Sequence, residues 1–298
     1  MTGPEFVQLQ TSDSLTLPGL LYAAPSSKKI ALFLHGNGTS CVFYSKNNSV
    51  IEVLHSRGIS SLLFNNRGAH MLHSNKRVEQ RKLVRVPSGM SHEVIAECVI
   101  DIDCAIEFVK SRGYEEIILI GSSTGANKIC VYDHYKPDNI VSHYMLLAGG
   151  DDTGIYYQTL GEARFRHMLG VAKRLIESGE SGRILTELVD DGMIFSAAAF
   201  YDIANPDGDY NCFPFMEHQT GVKLSTARPL FDYFSHISKP TTVIYGELDE
   251  YCGEGGGAAA INILKLRQPT FGYELVQGAD HGFYEHEKDL ARAILAHL

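Results

Sequence analysis

The stretch that decides the fold is Ile117-Ile118-Leu119-Ile120-Gly121-Ser122-Ser123-Thr124-Gly125-Ala126. Its first four residues are a short continuous apolar run, which is typical of a strand buried on both faces of a parallel sheet. The Gly-x-Ser-x-Gly after it predicts a very tight turn into a helix, because side chains two positions either side of the central serine would collide with neighbouring backbone. We therefore expect Ser123 in a strained conformation, with its hydroxyl exposed above the sheet edge.

Other apolar runs indicate further buried strands, and helical periodicity lies between most of them. The predicted strands are residues 30–34, 59–64, 117–120, 141–148, 242–245 and 273–276. The predicted helices are residues 42–56, 94–110, 128–135, 258–266 and 285–298. Alternating segments at 6–11 and 15–23 predict an N-terminal β-hairpin. Strands that alternate with helices imply right-handed crossovers and an α/β fold, with a mostly parallel sheet flanked by helices.

One region interrupts this alternation. Between residues 151 and 235 there is no buried-strand run; the segment is helical at 161–178 and 183–189, then rich in turn residues. We interpret residues 151–235 as an inserted, mainly helical cap, with residues 1–150 and 236–298 forming the core. A second structural domain without a role in the site is the alternative.

Composition excludes several classes of function. The formal net charge is −9 and no long run of Lys and Arg occurs, so no nucleic-acid partner is expected. No apolar stretch reaches about 18 residues, and the N-terminus lacks the pattern of a signal peptide, so neither a membrane span nor secretion is expected. The six cysteines form no Cys-x-x-Cys pair, which disfavours a metal site and favours a reducing, cytoplasmic location, although disulfides stay open.

A serine hydroxyl needs a base to become a nucleophile. Of thirteen histidines, His281 stands directly after the last predicted strand, where ligand chemistry collects in open α/β sheets. A third group must orient the imidazole, and Asp249 follows the preceding strand. Rival carboxylates are Glu247 and Glu250 in the same loop, and Asp151 or Asp152 after an earlier strand.

The oxyanion of an acyl-transfer reaction needs preorganised donors. We expect one to be the backbone N–H of Thr124, directly after the nucleophile. The second is expected from the glycine-rich loop at residues 35–40, where the N–H of Asn37 is the candidate. A simple turn is the alternative interpretation of this loop.

These motifs together resemble the α/β-hydrolase superfamily along nearly the whole chain. The matching pieces are His35-Gly36-Asn37-Gly38, Asn65-Asn66-Arg67-Gly68-Ala69-His70, the turn around Ser123, Gly246-Glu247-Leu248-Asp249 and His281-Gly282. The resemblance implies hydrolysis through an acyl-enzyme without a cofactor. Two positions depart from the pattern: Ser122 stands where histidine is frequent, and Asn65-Asn66 replaces the usual aspartate.

A narrower likeness is to the fungal siderophore-esterase group and its uncharacterised relatives. It is carried by Ser123-Thr124-Gly125, by Ser196-Ala197 and by Asn205-Pro206-Asp207-Gly208-Asp209.

The leading hypothesis is a serine hydrolase that cleaves an ester of a small-molecule substrate. Amide or carbon–carbon bond hydrolysis on the same triad stays open. A non-catalytic ligand-binding protein on this fold is a second hypothesis, which the presence of all three triad residues disfavours. A nucleotide binder, suggested by the glycine-rich tract at residues 253–257, is disfavoured because no ribose-binding carboxylate follows in a βαβ frame.

Overall fold

The computed structural model describes residues 3–42 and 46–298. Its strands in these ranges are β1 (Glu5–Gln10), β2 (Thr16–Tyr22), β3 (Lys29–Leu34), β4 (Ser60–Phe64), β5 (His73–Glu79), β6 (Lys82–Ser88), β7 (Glu116–Ser122), β8 (His143–Leu147), β9 (Thr241–Gly246) and β10 (Gly272–Val276). The helices are α1 (Lys46–Ser56), α2 (Cys98–Ser111), α3 (Thr124–Tyr135), α4 (Asp152–Leu160), α5 (Glu162–Glu177), α6 (Ala197–Ala204), α7 (Phe215–Thr220), α8 (Asp232–His236), α9 (Gly256–Lys265) and α10 (Glu287–Leu295). Short 3₁₀ helices cover Met90–His92, Ile95–Glu97 and Thr186–Asp191.

Eight strands form one sheet in the order β1-β2-β4-β3-β7-β8-β9-β10. The pairs β1–β2 and β2–β4 are antiparallel, and every later neighbouring pair is parallel. The mostly parallel sheet predicted from the sequence is therefore confirmed. Because the strands β3, β7, β8 and β9 run side by side and in one direction, the loops after their carboxyl ends meet along a single edge.

The central strands are buried because helices cover both faces of the sheet. The four residues Ile117–Ile120 of β7 are at most 1% exposed. Burying one such side chain contributes roughly 1.5–3 kcal/mol, so the sheet centre supplies a large part of the hydrophobic stabilisation. The continuous apolar runs are thus explained by burial on two faces rather than one.

The region between β8 and β9 contains no strand and carries α4 to α8. The helix predicted at 161–178 is observed as α5, and α4 and α6–α8 are additional. The helix predicted at 183–189 is wrong: these residues begin outside helix, and a 3₁₀ helix covers Thr186–Asp191 instead. That short helix ends at Gly192, which has a φ of 75° and therefore stops the right-handed backbone.

Other predicted elements differ mainly at their ends. The helix predicted from residue 128 begins at Thr124, directly after the nucleophile turn. The helix predicted at 42–56 is observed from Lys46 onward, and residues 43–45 lie outside the described residues. The hairpin β5–β6 was missed, because its strands are polar and exposed on one face and carry no apolar run.

Two findings concern cysteines and membranes. All six cysteines are buried, and none of them forms a disulfide. In the part of the chain that the structure describes, no helix has the length and apolar character needed to span a bilayer.

Candidate active site

The turn between β7 and α3 holds Ser123 in a backbone conformation that L-residues rarely adopt, with φ 57° and ψ −129°. The glycines around it have a steric cause. A methyl group at Gly121 would lie 2.2 Å from the carbonyl oxygen of Gly125, and one at Gly125 would lie 2.4 Å from that of Leu34. The Ser123 N–H donates to the Leu147 carbonyl over 2.8 Å, which ties the strained residue to the neighbouring strand β8. Such a conformation costs about 1–3 kcal/mol and persists where surrounding structure enforces it.

Three of the predicted site residues form one hydrogen-bonded chain. The Nε2 atom of His281 lies 2.9 Å from the Oγ atom of Ser123. The Nδ1 atom of the same imidazole lies 3.0 Å from both carboxylate oxygens of Asp249. The Asp249 side chain is fully buried, whereas that of His281 is 14% exposed and therefore reachable from the site. The three side chains are thus connected in the order that a nucleophile, a base and a group orienting the base require.

Asp249 is also distinguished from the rival carboxylates by its contacts. Glu247 accepts from the Gly278 N–H, and Glu250 accepts from the backbone N–H of His281 rather than from its ring. Asp151 caps the first turn of α4, accepting from Gly154 and from the Met216 N–H. None of these three contacts, all within the described residues, reaches the imidazole.

The two predicted oxyanion donors lie next to the nucleophile. Thr124 is fully buried and is the first residue of α3, where backbone N–H groups have no partner inside the helix. Asn37 follows β3 and lines the same space as Ser123. Between them, Gly36 approaches the nucleophile so closely that a methyl group there would lie 2.8 Å from the Ser123 Cβ atom. The glycine-rich loop is thus in contact with the nucleophile turn.

Two cavities meet at Ser123 and His281. The inner cavity, about 590 Å³, lies at the carboxyl ends of β3, β7 and β8. Its surface is mostly apolar, and besides polar residues such as Asn47 it is lined by five apolar side chains. These are Phe33, Leu34, Cys41, Ile120 and Leu147. The outer cavity, about 1250 Å³, opens towards the helical region and is lined by Met71, Met90, Asp152, Tyr156, Met193 and Phe195 among others. A substrate with two parts, one on either side of a scissile bond, therefore has a separate space for each part.

A buried carboxylate beside the nucleophile was considered in the sequence only as a rival for Asp249. Asp152 accepts from the Thr124 hydroxyl, whose oxygen lies 3.1 Å from Oδ2. Burial raises the pKa of Asp152 to about 7, with a further contribution from Asp151, although the Thr124 hydroxyl acts in the opposite direction. A carboxyl with this pKa is partly protonated near neutral pH, and it faces the outer cavity. The sequence feature that could have pointed to Asp152 as a site residue is its position shortly after strand β8.

Two aromatic residues of the site carried no sequence signal. The Tyr251 ring packs edge-on against the His281 imidazole, with ring centroids 4.7 Å apart. Its backbone N–H also donates to Oδ1 of Asp249 over 2.9 Å, so one residue contacts both partners of the hydrogen bond. Tyr156 is partly buried and lines the outer cavity together with Asn37 and Asp152, and burial raises the pKa of its hydroxyl. Aromatic residues at these positions are indistinguishable from core residues in the sequence alone.

A buried ion pair that includes a residue of α3 lies close to the site. Lys128 is fully buried and its Nζ lies 2.6 Å from the Glu93 carboxylate, which is also buried. The ammonium donates to the Asn66 Oδ1 as well, over 3.3 Å. Burial, together with the charge of Lys128, lowers the pKa of His35 to about 3, so this imidazole is neutral. His35 therefore holds the loop that carries Asn37 without adding a charge to the site.

No metal site is evident in the described ranges, 3–42 and 46–298. Within them, no group of three or more His, Cys, Asp or Glu side chains has the arrangement of metal ligands.

Comparison with solved structures places this architecture in a known class. Est1E from Butyrivibrio proteoclasticus is similar at a TM-score of 0.57 and 13% identity, over 98% of this chain and 96% of that one. The α/β hydrolase GrgF from Penicillium sp. sh18 is similar at a TM-score of 0.62 and 17% identity, over 99% and 98%. Carboxylesterase CesB from Bacillus subtilis is similar at 0.56 and 15%, over 99% and 91%. The protein therefore has the α/β-hydrolase fold, as the motifs predicted.

The family assignment is narrower than the fold. Residues 93–296 match the family described as "Protein of unknown function (DUF1749)", and the chain belongs to this family. A comparison with curated proteins found no match. The fold is thus shared with esterases, and the chemistry has to be argued from the site itself.

Proposed function

We propose that the protein is a serine hydrolase that cleaves a carboxylic ester of a small-molecule substrate through an acyl-enzyme. The observation that carries this proposal is the hydrogen-bonded chain from Ser123 Oγ through His281 to the buried Asp249 carboxylate. A strained serine on a strand-to-helix turn, hydrogen-bonded to an imidazole base, is an arrangement whose parts serve nucleophilic catalysis together.

The reaction follows from the geometry. Nε2 of His281 takes the Ser123 hydroxyl proton while Oγ attacks the ester carbonyl, and the carbonyl oxygen becomes an oxyanion. The N–H groups of Asn37 and Thr124 stabilise this oxyanion, and Asp249 stabilises the imidazolium. The imidazolium then gives its proton to the leaving alcohol. Water, deprotonated by His281, attacks the acyl-enzyme carbonyl. The bond between the acyl carbon and Ser123 Oγ then breaks, the carboxylic acid leaves, and the imidazolium returns its proton to Oγ.

The two cavities support a division of the substrate. We assign the acyl part to the apolar inner cavity and the alcohol part to the outer cavity. The outer cavity is lined by methionine and aromatic side chains and by Asp152. Residues 151–235 act as the cap in this proposal, since Asp152, Tyr156, Met193 and Phe195 all line the outer cavity. The Est1E structure with bound ferulic acid makes an aromatic acid ester a sensible member of the first substrate panel.

Hydrolysis of an amide or of a carbon–carbon bond uses the same three residues. An amide needs firm protonation of its leaving nitrogen, and a carbon–carbon bond needs a stabilised carbanion as the leaving group. Ester cleavage, whose alkoxide leaves most readily, is therefore the function that the geometry supports best.

A fluorophosphonate probe tests the proposal directly, because it phosphonylates an activated serine. After labelling and digestion, mass spectrometry is expected to find the adduct on the peptide that contains Ser123. The sequence offers a matched control in the adjacent serine: Ser122→Ala retains labelling, whereas Ser123→Ala abolishes it. Labelling at any other residue, or none on the folded protein, would refute the assignment.

A panel of esters then measures the chemistry. Short-chain and aromatic acid esters are compared with matched amides on the wild type and on Ser123→Ala. We expect the serine variant to lose several orders of magnitude in kcat while it still binds substrate. Amides cleaved faster than their matched esters would overturn the choice of ester as substrate class.

A further inference from the structure

The hairpin β5–β6 is the most basic part of an acidic protein. Residues 73–88 contain five Lys or Arg and one Glu, a net charge of +4, whereas the whole chain has −9. The rest of the chain therefore carries −13. At the tip, Gln80 and Arg81 both have a positive φ, 47° and 65°, which defines a tight two-residue turn. Positive charge is thus concentrated on a single protruding element.

The two faces of this hairpin differ. On the inner face Asn75 is buried, Val86 packs against the core and Arg77 pairs with Leu15 through a β-bridge. On the outer face the side chains alternate between basic and apolar along each strand. They are Lys76 and Val78 on β5, and Leu83 and Arg85 on β6, all exposed.

On this outer face, the strand register pairs one cation with another and one apolar side chain with another. Lys76 lies directly opposite Arg85, and Val78 lies directly opposite Leu83. Like charges directly opposite each other are unfavourable in an antiparallel pair. Among the residues that the structure describes, no carboxylate forms an ion pair with either cation, and Val78 and Leu83 are 52% and 64% exposed. A surface that carries anionic groups above an apolar interior complements both the basic pair and the apolar pair.

The base of the hairpin is fixed to the mouth of the candidate active site. The residues that flank it, Met71 and Met90, both line the outer cavity. The Ser91 N–H donates to the Met71 carbonyl over 3.0 Å, and Met90 donates to His70 over 2.9 Å, so the two ends are clamped together. A surface that holds the outer face of the hairpin therefore lies near the opening of the site.

We propose that the outer face of β5–β6 docks on an anionic lipid surface, with Lys76 and Arg85 on the headgroups and Val78 and Leu83 inserted below them. This is peripheral binding: two apolar side chains and a few charges give reversible attachment. The proposal goes beyond hydrolysis, because docking requires neither Ser123 nor its partners.

Vesicle cosedimentation tests the proposal. The wild type is expected to bind phosphatidylcholine vesicles that contain about one-third phosphatidylserine, and to bind pure phosphatidylcholine far more weakly. Raising the ionic strength from about 0.05 to about 0.5 M weakens the binding, because exposed charges are screened. Each basic residue near such a surface contributes about a five-fold gain, so Lys76→Gln/Arg85→Gln loses about 25-fold in affinity. Val78→Ser/Leu83→Ser loses on the order of ten-fold.

The control makes the same change of net charge elsewhere. Lys288→Gln/Arg292→Gln lies on α10, which packs on β10 at the other edge of the sheet, and should bind like the wild type. Circular dichroism and thermal unfolding verify that every variant is folded. Ser123→Ala binds vesicles normally, so a failure of the proposed catalysis leaves this test intact.

Three results would overturn the proposal. They are absence of binding by the wild type, equal losses in the hairpin and α10 variants, and retention on immobilised polyglutamate without binding to vesicles. The last result would assign the hairpin to an acidic polypeptide.

Discussion

Replacing Asp249 by Asn tests the proposed catalytic chain where the sequence left the most alternatives. Asn keeps the volume of the side chain and removes its charge. Its NH₂ group can also donate to Nδ1 of His281, which fixes the imidazole with its proton on Nε2. That tautomer cannot accept the Ser123 proton, so both the base and the stabilisation of the imidazolium are lost.

The structure sets the magnitude of the electrostatic part. The Nδ1 atom lies 3.0 Å from each Asp249 oxygen, and the carboxylate is fully buried. At an effective dielectric constant of about 20, unit charges about 3–4.5 Å apart interact by roughly 4–6 kcal/mol. Since 1.36 kcal/mol corresponds to a factor of ten in rate, we expect kcat to fall by roughly three to four orders of magnitude.

The assay compares kcat and KM for a fast ester across matched carboxamide variants. Glu250→Gln and Glu247→Gln are the controls, because both carboxylates contact backbone N–H groups of the same region and neither contacts the ring. We expect each control to retain kcat within about ten-fold. A loss below ten-fold in Asp249→Asn, or an equal loss in Glu250→Gln, would refute the role assigned to Asp249.

Three further predictions concern stability and the shape of the site. Burial raises the pKa of Asp202 to about 7, so its folded form holds a proton that the unfolded chain releases. The free energy of unfolding should therefore fall as the pH rises from about 4 to about 7, by up to roughly 4 kcal/mol. Urea titrations should show a flatter dependence of this free energy on pH in Asp202→Asn. Lys128→Met strands the buried Glu93 carboxylate and should cost about 3–5 kcal/mol in urea unfolding, with partial recovery when Glu93→Gln is added. Gly36→Ala pushes a methyl group against Ser123 and should lower kcat by about 100-fold in a folded protein; near-normal kcat would contradict the close approach.

The fold could be predicted because its centre is buried on both faces. Burial of this kind demands continuous apolar runs, and each of the six runs found in the sequence lies on a strand of the main sheet. The hairpin β5–β6 violates that condition: its side chains alternate between a core-facing and a solvent-facing row, and the exposed row is basic. A search for apolar runs could not detect it. Its only local signal, the turn at Gln80-Arg81, lacks the glycine or asparagine that normally marks such a turn.

The residues of the candidate site also divide into those that the sequence could predict and those that it could not. The positions of Ser123, Asp249 and His281 were predictable because each follows a buried strand, and the carboxyl ends of parallel strands converge. Tyr251 and Tyr156 were not predictable, because their roles depend on distances across the fold. Tyr251 packs edge-on against an imidazole that is 30 residues away in sequence, and neither tyrosine lies in a motif.

The second asparagine of the Asn65-Asn66 pair has a physical explanation in the buried ion pair. A charge-bearing aspartate at this position would join Glu93 around a single buried ammonium, leaving one negative charge in excess. Asn66 instead accepts from Lys128 Nζ and from the Gly68 N–H through the same neutral oxygen, while the Glu93 carboxylate supplies the one countercharge. Gly68 is the third part of this arrangement, since a methyl group there would lie 2.0 Å from the Glu93 carboxyl carbon. It follows that Asn66→Asp should destabilise the protein at neutral pH, where the added carboxylate is charged, and less so in mild acid, where the added carboxylate takes up a proton. Equal destabilisation at about pH 5 and about pH 7.5 in urea unfolding would contradict this explanation.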